Sequence, residues 1–135
     1  MSNTALAVAG LIAWHLVLTL IIVNQRGLLT FFGGRAANSF GVDGKDVSEF
    51  SNRVCRAHAN SYESFPWTAG TLFLALVLNQ AAVTDGLALY MLYARVGQSV
   101  VHLASTSAGA VLVRFGFFFV QMIVAALCLY KLVCQ

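Results

Sequence analysis

The sequence predicts an all-α fold, an integral membrane four-helix bundle that occupies residues 1–135 as a single domain. Three observations predict it. The chain is 59% hydrophobic and only 10% charged, with a mean hydropathy of +0.79, whereas soluble domains carry about 25% charged residues to cover their surface. Four apolar segments, roughly 4–26, 57–80, 87–104 and 110–133, are each about the length that crosses a hydrocarbon core. The few polar side chains inside them recur at helical spacing, as in Arg56, Asn60 and Glu63.

The first segment is apolar from Thr4 to Val23 and closes on Asn24, Gln25 and Arg26. A cleaved signal peptide is the rival reading, but no basic residue precedes the apolar run. His15 interrupts it, as a packing residue or as a functional one. Residues 27–52 form the long polar loop, rich in glycine and mixed charge. Its Gly33-Gly34-Arg35 is too short for a nucleotide loop. The next helix can start early within it, with Asp46 or Ser48 near the cap.

The second segment is entered through Arg53-Val-Cys-Arg-Ala-His-Ala-Asn-Ser-Tyr-Glu-Ser-Phe-Pro66. Arg56, Asn60 and Glu63 point a cation, an amide and an anion to one helical side. Ionisable groups at membrane depth cost roughly 2.5–3.5 kcal/mol each, so they persist by pairing or by lining a polar site. Pro66 removes one backbone donor and crowds the carbonyl of Tyr62, which predicts a kink. A polar turn follows through Gly86, and the third segment repeats the pattern with Arg95, Gln98, Ser99 and His102. After a turn at Ser105–Gly109, the fourth segment carries Arg114 near its start and then Phe115, Phe117, Phe118 and Phe119, read as lipid or helix contact. Lys131 near its end can snorkel to the interface.

Basic residues set the orientation. Arg26, Arg35, Lys45, Arg53 and Arg56 surround the long loop and Arg114 adjoins the last turn, against Lys131 alone at the other end. The loop is therefore expected on the cytoplasmic side and both termini on the non-cytoplasmic side. Polar residues of all four segments then converge at one depth. Such a set of arginines holds a small anionic ligand bearing a carboxylate and stabilises a thiolate. The competing reading is an intramembrane clamp, with Glu63 paired to Arg56 or Arg95 and no ligand. The scattered arginines do not form a nucleic-acid surface. The spacing suits no metal: His58 and Glu63 face different ways. Cys55, Cys128 and Cys134 match neither a disulfide framework nor a zinc site. Cys128 and Cys134 read as packing, and Cys55, between arginines, as an inert or a redox thiol.

Arg56-Ala-His58-Ala-Asn60-Ser-Tyr-Glu63-Ser-Phe-Pro66 resembles the Arg-Ala-His-x-Asn-x-x-Glu-x-x-Pro signature of the MAPEG family, the membrane-associated proteins in eicosanoid and glutathione metabolism, with the proline one place early. Ala94-Arg95-Val-Gly-Gln98-Ser-Val-Val-His102 and Val113-Arg114-Phe-Gly-Phe resemble its third- and fourth-helix motifs. The resemblance implies a homotrimer in the lipid bilayer with glutathione between subunits. By position, it implies glutathione contacts at Asn60 and Glu63, a carboxylate partner in Arg26, and thiolate stabilisation by Arg114 as the catalytic residue. Arg56, His58, Arg95, Gln98 and His102 complete the expected substrate-binding set. The sequence departs from the family at Ala59, where a branch has arginine, and at Gln98 and His102, which replace histidine and tyrosine. Two functions follow: a glutathione transferase or peroxidase acting on lipophilic small molecules, or an accessory subunit of a larger membrane complex that has lost this chemistry.

Overall fold

Helix boundaries follow local chemistry. Ser2 precedes the first helix and takes the Ala5 N–H on its hydroxyl; Ser48 does the same for Ser51 N, and Ser107 for Ala110 N. Each satisfies one of the orphan donors at a helix start. The structure, a computed structural model, describes residues 1–134. They form α1 (Asn3–Phe31), α2 (Glu49–Val77), α3 (Ala81–Ala104) and α4 (Ala108–Val133). The helices α1 and α4 are long and apolar enough to cross a membrane, whereas α2 and α3 carry the polar stripes, of which the α3 residues Arg95, Gln98, Ser99 and His102 are buried.

Three boundaries differ from the sequence reading. The helix α1 continues past Arg26 to Phe31 because Leu28 and Leu29 extend its apolar run. The helix α2 opens at Glu49 behind Ser48, the early start and one of the two caps that the sequence offered, so the loop of 27–52 contracts to 32–48. The helix α3 begins at Ala81, ahead of 87, because Asp85 is usefully helical: its carboxylate accepts from Thr4 N at 2.8 Å and from Thr4 Oγ1 at 2.6 Å. An α3 side chain thus satisfies the exposed N-terminus of α1. The end of α2 is a Schellman turn, with Asn79 at φ 56° and Gln80 N reaching Ala75 O at 2.8 Å.

The short turns at 78–80 and 105–107 fold α2, α3 and α4 back on one another in antiparallel order. The helix α1 packs on α2 and α3, while α4 packs on α3 and on α2 from the other side. Small residues set the spacing. Ala7, Ala69, Ala88 and Ala125 meet Val8, Leu11, Leu72, Met91, Val124 and Cys128 in one core, an arrangement that lets backbones approach closely. Cys134, by contrast, is exposed.

At the end opposite Thr4, the loop is tied to α1 and α2. Gly44, at φ +68°, lies against Ser51 and Cys55 so closely that a Cβ would stand 2.7 Å from Ser51 Oγ. Phe40 lies beneath the Arg35 guanidinium at 4.3 Å and near that of Arg26 at 5.6 Å. Asp46 accepts from Gly41 N at 3.1 Å and pairs with Arg35. The Gly41 N–H and then the Arg35 side chain outweigh the desolvation that opposes them and hold the Asp46 carboxyl below its ordinary 3.8. A depressed carboxyl favours the tethered loop above its ordinary pKa and loses that contribution as pH falls through the depressed value. Limited trypsin cleavage at Arg35 and Lys45 is therefore expected to stay slow at neutral pH in the wild type and to accelerate at neutral pH in Asp46→Asn. Equal rates would show that Asp46 does not hold the loop.

Candidate active site

At the loop end of the bundle a cleft of about 280 Å³ opens between α2, α3 and α4. Arg56 and Asn60 line it from α2, Gln98 and His102 from α3, and Arg114 from α4, with Val111, Phe115 and Phe118 as its apolar wall. The antiparallel order makes this possible, because it brings the start of α2, the end of α3 and the start of α4 to the same end. Polar residues one helical turn apart then face inward together. Trp67 meets Phe118 edge-on at 5.6 Å and anchors that wall to α2.

The cleft is rich in donors and holds two unsatisfied nitrogens. His102 is 9% exposed, and its Nε2 has no partner. The buried Nε of Arg114 has none either. Buried polar groups are seldom left unpaired, and both of these belong to residues that line the cleft. Arg95 lies behind the lining, 2% exposed. It donates from Nη1 to Asn60 Oδ1 at 2.8 Å and from Nη2 to Ser64 Oγ. With Asn60 Oδ1 taken, the amide NH2 of that residue remains for the cleft. Gln121, fully buried on α4, donates to Gln98 Oε1 at 2.9 Å and to Phe117 O at 3.0 Å.

The other sequence-selected residues lie elsewhere. Glu63 is exposed and borders a separate, mainly apolar pocket with His15, Tyr62, Phe65 and Pro66. The step from Asn60 to Glu63 turns about 60° back around the helix, which carries Glu63 off the cleft. Among the described residues it pairs with neither Arg56 nor Arg95, so the charged clamp is not formed; α3 meets α2 at Asn60 and Ser64 instead. His58 faces α1, where Nε2 meets Thr19 Oγ1 at 3.1 Å and its ring lies 4.5 Å from that of His15. Arg26 donates to Gly41 O at 2.8 Å and stays on the α1 side. Both border a pocket with Cys55, across α2 from the cleft.

Sequence reasoning missed Ser64 and Gln121. The signal for Gln121 was its isolation, a single amide between Phe119 and Ala125 in an apolar run. It also assigned Phe115 and Phe118 to lipid or helix contact, whereas both line the cleft. Gly97 keeps this seam closed, since a Cβ there would stand 2.9 Å from Phe117 Cζ. Alanine in a helix interior gains about 1 kcal/mol over glycine, but displacing a packed ring costs about 1–3 kcal/mol. Gly97→Ala is expected to lower the thermal midpoint in detergent micelles; a raised midpoint would show that Phe117 moves freely.

Neither a curated protein nor a solved structure matches the chain. The sequence profile of the MAPEG family matches residues 4–134, nearly the whole of the four-helix bundle. With its apolar helices and the polar cleft they enclose, the chain belongs to the MAPEG family of integral membrane proteins.

Proposed function

We propose that the protein is a membrane-bound glutathione transferase or peroxidase. The carrying observation is the cleft lined together by Arg56, Arg114 and His102, whose buried Nε2 has no partner. Membership supports the reading, since MAPEG proteins generally bind glutathione and many are transferases. Arg56 and the Asn60 amide would hold a glutathione carboxylate. Arg114 would stabilise the sulfur as thiolate, because an adjacent fixed cation favours the charged form. The S–H proton passes to water, and the thiolate attacks an electrophilic carbon of a lipophilic substrate, forming a C–S bond as the leaving group departs with its electron pair or as the neighbouring carbon of an activated alkene takes the pair and then a proton from water. With a hydroperoxide, the thiolate takes the distal oxygen and releases an alcohol; a second glutathione converts the sulfenic acid to disulfide and water.

The assembly in this reading is a homotrimer, with the loop cytoplasmic, both termini on the other side, and lipophilic substrates arriving from the bilayer. Calorimetric titration of detergent-solubilised protein with glutathione, with thiolate absorbance followed in the same samples, tests it. Saturable binding with thiolate formation is expected. Absence of binding at millimolar glutathione would favour an accessory subunit of a larger membrane complex. One observation leans that way: Arg26, His58 and Glu63 lie outside the cleft of their own chain.

A further inference from the structure

Gln121 does not itself line the cleft and sits in an otherwise apolar run. It is 0% exposed beside Val124, Ala125 and Cys128, and its own Oε1 is unpaired. Methionine or leucine would fill such a place without an orphan carbonyl. What the amide does is orient another amide. Its Nε2 lies 3.0 Å from Phe117 O and 2.9 Å from Gln98 Oε1. A backbone carbonyl only accepts, so the atom of Gln121 facing it must be nitrogen. That nitrogen also meets Gln98, so the Gln98 atom facing it must be oxygen. One backbone carbonyl thereby fixes both side-chain amides. With its oxygen taken by Gln121, the NH2 is the Gln98 group left for the cleft that Gln98 lines.

We infer that Gln121 is a positioning residue that locks the Gln98 carboxamide with its two N–H donors toward the anionic part of the bound ligand. The inference rests on the glutathione reading and extends it from the lining to a residue behind it. Without Gln121, Gln98 is free to turn by 180° and present its oxygen, which repels a carboxylate or thiolate. The Asn60 amide is held in the same sense from α2, with Arg95 occupying its oxygen. Two neutral side chains are thus both turned donor-inward, and with Arg56 and Arg114 they make a cleft selective for anions.

A double-mutant cycle on the full-length protein tests this, with glutathione as probe and dissociation constants read by calorimetry. Gln121→Met keeps the volume and removes the donor. Its dissociation constant is expected to rise about tenfold, as for loss of one hydrogen bond to a charged group, and Gln98→Met is expected to weaken binding at least as much. If Gln121 acts through Gln98, the double variant binds no more weakly than Gln98→Met alone. Additive losses, or a Gln121→Met protein that binds as wild type, overturn the inference and leave the glutathione reading standing. A wild type that does not bind overturns both. Thermal midpoints measured in parallel separate positioning from packing, since a purely structural role lowers the midpoint without this non-additivity. Gln121→Leu replaces Gln121→Met if methionine prevents folding.

Discussion

Arg114→Ala is expected to lower the rate of glutathione conjugation about 10²–10³-fold, the range seen when one preorganised donor is removed from a developing negative charge. Arg114 is placed for this role in the first two turns of α4, behind the Ser107 cap, where it lines the cleft with Val111 and Phe115. Its buried Nε has no hydrogen-bond partner within the chain. The effect should fall on thiolate formation more than on binding, because Arg56, Asn60 and Gln98 still line the cleft. Glutathione absorbance at the thiolate band would be lost while the dissociation constant rises less than the rate falls. Arg114→Lys should recover part of the rate, since a point charge restores the field but not the planar fork. If Arg114→Ala forms thiolate as the wild type does, Arg114 is not the stabilising cation.

Much of this arrangement was legible in the sequence because helical spacing projects a polar stripe to one side. Gln98 and His102 are four residues apart, as are Arg56 and Asn60, and the structure sets both pairs on the same cleft. Spacing along one helix does not say which neighbour packs against each side. Glu63 shares a stripe with Arg56 by arithmetic, yet α3 and α4 cover α2 along Asn60, Ser64 and Trp67, so Glu63 falls outside. His58 was drawn to α1 by Thr19 and His15, contacts with no local signature. Arg26 was claimed by a loop whose course depends on Gly41, Gly44 and Phe40 together. The lone Gln121 has no period at all, and its meaning appears only when α3 lies against it.

Arg95→Ala is expected to destabilise the protein by about 2–5 kcal/mol, the range for truncating a large buried side chain. Its guanidinium is among the largest fully buried groups, and its partners are neutral: Asn60 Oδ1 and Ser64 Oγ. Removing it opens a cavity between α2 and α3 and strands the Asn60 oxygen. Burying a cation without a carboxylate is itself costly, so the arginine is a poor choice for stability alone. Arg95→Met separates the two contributions. Methionine fills most of the volume without the buried charge, so the thermal midpoint in micelles should return most of the way to wild type. Glutathione affinity should not return, because Asn60 is then free to turn its oxygen into the cleft. Parallel recovery of midpoint and affinity in Arg95→Met would mean that Arg95 only fills space; recovery of the midpoint alone would assign it the orientation of Asn60.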